Sequence, residues 1–210
     1  MKYSKSNYEH KFTCSYRNCT NSLANATCVD AKRLVEDIAL TDDQFYEFCQ
    51  LNRDFRIERN AAKELVIMPP TGSETDERNF NLIRQLWVWT KQDGTGVGLG
   101  SSGGFTLPNG AVRSPDPAWI KLTRWEAIPL ELRKKFALIC PEFVIELRSE
   151  SDNLRILQDK MQEYIDNRTQ LGWLIDRKQR QVFIYRPHTA VEVLNNLKTL
   201  SDESLLPGFF

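Results

Sequence analysis

No run of 18 apolar residues occurs in this 210-residue chain, so no membrane-spanning helix is expected. The first thirty residues lack the apolar core of a secretory signal, which points to a cytoplasmic protein whose five cysteines stay reduced. Excess charge of one sign is missing as well. Lys plus Arg and Asp plus Glu number 28 each, so no global field draws in nucleic acid, and a polyanion would need a local basic cluster. Arg148, Arg155, Lys160 and Arg168 offer such a cluster, although a solvated helix face accounts better for Arg155. Zinc-knuckle spacing is absent too: His10, Cys14, Cys19 and Cys28 contain no C-x2-C pair. Gly98-Leu99-Gly100-Ser101-Ser102-Gly103 spells the dinucleotide fingerprint, but a strand and a turn follow it where a helix is required, and no phosphate-loop lysine is present. That glycine-rich stretch reads as a twisted hairpin.

What is present describes an ordinary globular chain. Its 41% hydrophobic and 27% charged residues support a core of good size within one domain. Residues 1–30, rich in Asn, Ser, Thr and Lys without periodicity, form a loose N-terminal extension, and residues 31–210 form the domain. Thr41 and Gln44 make a capping box for a helix through Phe48. Phe55–Arg59 and Leu65–Met68 read as a hairpin stopped by Pro69 and Pro70. A helix from Ser73 to Gly94 carries Phe80, Ile83, Leu86 and Trp87 as its apolar stripe. Another runs from Leu154 to Leu171 and is ended by Gly172, and three strands close the chain. The order predicts an α/β (α+β) fold, a mixed central sheet flanked by helices.

Two carboxylates stand out. Pro115 in Ser114-Pro115-Asp116 favours extended backbone, so Asp116 opens a strand through Ala118, Trp119 and Ile120. Phe143 to Leu147 is nearly all apolar, as in a strand covered on both faces, yet it contains Glu146. A carboxylate there must be paired or hold a cation.

This pattern resembles the PD-(D/E)XK nuclease superfamily. More closely, Met68-Pro69-Pro70-Thr71-Gly72, Leu107-Pro108-Asn109-Gly110, Arg113-Ser114-Pro115-Asp116, Cys140-Pro141-Glu142-Phe143, Glu146-Leu147-Arg148-Ser149 and Leu171-Gly172-Trp173-Leu174-Ile175-Asp176, in that order, resemble the Uma-type restriction endonucleases. The resemblance implies a restriction-endonuclease-like fold, DNA as substrate and a homodimer. It also implies Mg2+ (or Mn2+) held by Asp116, Glu146 and the Leu147 carbonyl. One or two carboxylates plus waters and phosphate suit Mg2+ in phosphodiester hydrolysis. Where the superfamily commonly has lysine this chain has Arg148, which cannot act as a base but can clamp phosphate. The resemblance assigns the working cation to Lys160, about 60° from Leu157 and 40° from Tyr164 on the helical wheel. Glu74 matches a supporting first-helix acid, a position the helix dipole also favours. Tyr164 reads as core. The competing expectation is a nuclease-fold DNA-binding or scaffold protein that no longer cuts.

Overall fold

The computed structural model of the protein describes residues 40–209. The N-terminal extension expected over residues 1–30, with His10, Cys14, Cys19 and Cys28, lies outside the described residues.

Helix α1 (Asp42–Leu51) begins with the expected capping box. Gln44 donates its backbone N–H to the Thr41 hydroxyl, and the Gln44 side chain accepts from the Thr41 N–H. Strands β1 (Arg56–Arg59) and β2 (Leu65–Met68) form the predicted antiparallel hairpin. Helix α2 (Ser73–Asp93) stops at Gly94, whose φ of 70° suits a residue without Cβ. Its buried side is Asn79, Leu86, Trp89 and Thr90, while Phe80 and Trp87, expected to face the core, are exposed. Each lies one residue beyond a buried position and is therefore turned about 100° away. Trp89 sets this rotation by packing against Trp119 and Phe209.

The glycine-rich stretch corrects the predicted hairpin. Strand β3 (Gly96–Leu99) and strand β4 (Phe105–Thr106) belong to different sheets, and the chain passes between them through a turn closed by Gly103 N–H to the Gly100 carbonyl, 3.0 Å. At Gly104 a Cβ would stand 2.3 Å from the Phe136 ring, so that crossing needs a residue with no side chain. The chain continues through β5 (Val112–Arg113), β6 (Ala118–Lys121), the short helices α3 (Leu122–Glu126) and α4 (Leu130–Arg133), β7 (Ala137–Leu138) and β8 (Phe143–Leu147). Helix α5 (Leu154–Asp166) and strands β9 (Leu171–Asp176), β10 (Gln181–Tyr185) and β11 (Glu192–Asn195) complete it. The single expected sheet is therefore two: β2-β1-β5-β4-β7, and a larger mixed sheet in the order β11-β10-β9-β8-β6-β3.

Strand β8 is the hub of the larger sheet, antiparallel to β6 and parallel to β9, with all five residues buried. Alternation sends Val144 to one face, where it meets Leu174, Met161 and Tyr164. Phe143 and Ile145 go to the other face, with Trp173, Leu86, Trp89 and Phe209. Helix α5 ends at Asp166, earlier than its apolar spacing implied, because Asn167 caps it through a side-chain bond to the Glu163 carbonyl and Arg168 turns to a φ of 82°. Gly172, read as the helix stop, instead lies inside β9, where a Cβ would stand 2.4 Å from the Met161 methyl. Among the described residues no helix is long and apolar enough to cross a membrane.

Candidate active site

Asp116 and Glu146 meet because of strand register. The β6–β8 ladder pairs Ala118 with Val144, so two residues further on Asp116 falls opposite Glu146. Backbone bonds from Asp116 N–H to the Ile145 carbonyl (3.1 Å) and from Ile145 N–H to the Pro117 carbonyl (2.9 Å) continue that register. Asp116 Oδ2 then accepts the Leu147 N–H at 2.8 Å, which fixes its carboxylate beside Glu146. Both residues are buried.

Lys160 reaches Glu146 from α5, whose Met161 and Tyr164 pack onto the sheet. Its Nζ is 2.8 Å from Glu146 Oε1 and 2.9 Å from Glu58 Oε1. The lysine thus points inward. Tyr164, read as core, is buried and also donates to Glu146 Oε1 at 3.1 Å. No hydrogen bond among the described residues engages Glu146 Oε2.

Glu58 was missed from sequence. It belongs to β1 of the smaller sheet, accepts from Ser114 N–H at 2.9 Å and pairs with Arg113 Nη1 at 3.2 Å. Arg113 in turn pairs with Glu163 at 2.6 Å. Arg56, two residues before Glu58 and so on the same strand face, pairs with Asp116 Oδ1 at 3.1 Å and donates to the Ser114 carbonyl. Asn79 of α2 approaches the same oxygen at 3.4 Å. The available signal was charge at alternate positions, Arg56 and Glu58 flanking Ile57, in a segment already read as a strand.

The two remaining candidates lie apart from this cluster. Arg148 is bound to Asp176 at 2.6 Å and to the Asp152 carbonyl at 3.2 Å, anchoring the turn after β8 to β9. Glu74 is 74% exposed and pairs with Arg78 one helical turn on. Nor do the four basic residues form one patch: Arg155 is exposed and paired with Asp159, whereas Lys160 is buried among acids.

Four carboxylates (Glu58, Asp116, Glu146, Glu163) thus face three cations (Arg56, Arg113, Lys160), one negative charge in surplus. Glu146 bears the consequence. Burial pushes its carboxyl up to about 7; Lys160 opposes this, while the like charges of Asp116 and Glu58 reinforce it. Burial also disfavours charge on Glu58, but Lys160, Arg113 and hydrogen bonds outweigh it and hold that carboxyl below its ordinary value. Lys160 likewise stays charged despite burial because Glu146 and Glu58 flank it. Burial, followed by Glu146, raises the Tyr164 phenol, which remains a proton donor. Among the described residues no three of His, Cys, Asp and Glu are arranged ready to hold an ion; Asp116 is paired with Arg56, and Glu58 and Glu146 with Lys160. The donor chemistry nonetheless fits a hard divalent cation: oxygen ligands, a Glu146 oxygen without a hydrogen bond, and surplus negative charge.

A mixed sheet with helices against it carries two acids facing each other across neighbouring strands. The structure of a putative nuclease belonging to DUF820 from Anabaena variabilis aligns with TM-score 0.62 and 20% identity, over 78% of this chain and 88% of that one. The chain belongs to the Uma2 family, described as "Putative restriction endonuclease", whose model matches residues 42–210. No curated protein matches it.

Proposed function

We propose that the protein is a divalent-metal-dependent DNA endonuclease whose centre is Asp116, Glu146 and Lys160. The observation carrying this is the buried lysine shared by Glu58 and Glu146, with Asp116 opposite Glu146 in the register of β6 and β8. Mg2+ or Mn2+ bound by Asp116 and Glu146 would supply Lewis acidity at the phosphate and lower the pKa of a bound water. Asp116 is held for that task by the Leu147 N–H, and Glu146 by the Tyr164 hydroxyl. Lys160, kept protonated by Glu58 and Glu146, places positive charge where a phosphorane-like transition state gathers negative charge. Glu58 positions Lys160 through a carboxylate that Arg113 and Ser114 themselves fix. Cutting both strands calls for two such centres, which a two-fold homodimer supplies.

Supercoiled DNA incubated with the purified chain and Mg2+ or Mn2+ tests this reading. Nicking that a chelator abolishes, and that Asp116→Ala and Glu146→Ala both lose together with calorimetric Mn2+ binding, is expected. A folded chain that nicks no DNA form with any divalent metal would leave a nuclease-fold binding protein.

The metal affinity should also depend on pH. Protonated Glu146 cannot ligate, and its carboxyl titrates at about 7. Mn2+ affinity should fall roughly tenfold per unit as pH drops below 7 and level off above it. Isothermal titrations at pH 6, 7 and 8 measure this, and a flat profile would exclude Glu146 as a ligand.

A further inference from the structure

We infer that Arg56 is a resident counter-ion which a divalent cation displaces from Asp116, and that the released guanidinium then holds the substrate phosphate. This rests on the metal-dependent reading above and adds to it an exchange step and a phosphate-binding residue.

Arg56 differs from every other charged group in the cluster. Its side chain is 34% exposed, against 10% for Asp116, 8% for Lys160, 5% for Glu146 and 2% for Glu58. It is therefore the member of the cluster most open to solvent and to an arriving ion. Its guanidinium is bound to Asp116 Oδ1 and the Ser114 carbonyl, but its buried Nε has no hydrogen-bond partner among the described residues. A donor left unsatisfied there is cheaper to release than one fully engaged. Arg56 is also the first residue of β1; that strand's pairing to β5 is at Arg59, three residues on. Lys160, by contrast, is enclosed and shared by two carboxylates, so it stays.

Charge then forces the exchange. A guanidinium does not lose its proton near neutral pH, so it can leave the acids only by moving. A dication and Arg56 beside the same Asp116 oxygen would repel each other at close range and low dielectric. Swung outward on its flexible stem, Arg56 remains at the mouth of the site, and its planar fork matches two phosphate oxygens. Metal binding would thus empty the carboxylate of its counter-ion and present a phosphate clamp in one movement.

Calorimetric Mn2+ titration of wild type, Arg56→Gln and Arg56→Lys tests the exchange, with anisotropy of a labelled phosphorothioate duplex measured in chelator and in Mn2+. Arg56→Gln should bind Mn2+ about tenfold more tightly, Arg56→Lys should stay near wild type, and the Mn2+-induced gain in duplex affinity should vanish in Arg56→Gln. A purely structural role predicts no gain in metal affinity, so unchanged or weaker Mn2+ binding in Arg56→Gln overturns the inference. Should that variant not fold, the wild-type Arg56 Nε–H resonance serves instead: Mg2+ should shift it and speed its exchange with water, and an unmoved, protected signal overturns the exchange. Tighter Mn2+ binding in Arg56→Gln without cleavage of any DNA by wild type supports the exchange and removes only the nuclease reading. Wild-type cleavage with no affinity change does the reverse, and no Mn2+ binding by any variant removes both.

Discussion

Replacing Lys160 with Ala is expected to lower stability by about 3–5 kcal/mol and cleavage by about 10²–10⁴-fold. The stability loss follows from the charges left behind. Lys160 is the shared partner of Glu58 and Glu146, and without it four carboxylates face two arginines. The catalytic loss follows from removing the buried ammonium paired with Glu146. Unfolding by denaturant and nicking of supercoiled DNA measure the two effects. If calorimetric Mn2+ binding survives in Lys160→Ala while nicking disappears, the lysine acts on the transition state and is not needed to form the metal site. Arg148→Ala provides the contrast. Its guanidinium is engaged with Asp176 and Asp152, so this change should loosen the turn after β8 and leave more than half of the nicking rate. A larger catalytic loss at position 148 than at 160 would return the working cation to Arg148.

Glu146→Gln should do the opposite to stability while abolishing Mn2+ binding and nicking. The substitution removes the surplus negative charge, and the amide oxygen still accepts from Lys160 and Tyr164. A carboxyl raised by folding makes the native state bind more protons than the unfolded chain, so its stabilisation is full below about 4.5 and is lost as pH climbs to about 7. Wild type therefore loses stability across that window and the variant does not. Glu146→Gln should match wild type at pH 5 and exceed it by about 1–3 kcal/mol at pH 8. Urea melts at both pH values decide this, and a variant less stable at pH 8 would show that the buried charge is fully compensated. A site that gains stability when its function is removed is the usual signature of buried charge retained for chemistry.

The sequence carried the centre better than its surroundings. Asp116 and Glu146 were legible because a lone acid inside an apolar strand needs a reason to be there, and Pro115 fixes where the first strand begins. Lys160 was singled out by the family resemblance, and the helix pattern by itself marked it only as a flank position. Its inward direction depends on how α5 lies against β9 and β10. Glu58 and Arg56 escaped because alternation of charge and apolar residues in a hairpin also describes a strand with one solvated face. Which face is solvated depended on the smaller sheet, and that sheet was hidden in the passage from β3 to β4. Phe80 and Trp87 misled for a related reason. Hydrophobic spacing marked the helix, but its rotation was decided by Trp89 meeting Trp119 and Phe209.

Glu58 and Lys160 are 102 residues apart, yet each depends on the other for its charge. During synthesis the first hairpin leaves the ribosome long before α5 exists, so the newborn chain holds Arg56 and Glu58 with no partner lysine. The Glu58–Lys160–Glu146 group is complete only once α5 has been made. A polypeptide halted before position 160 would hold Glu58 and Glu146 without the lysine they share.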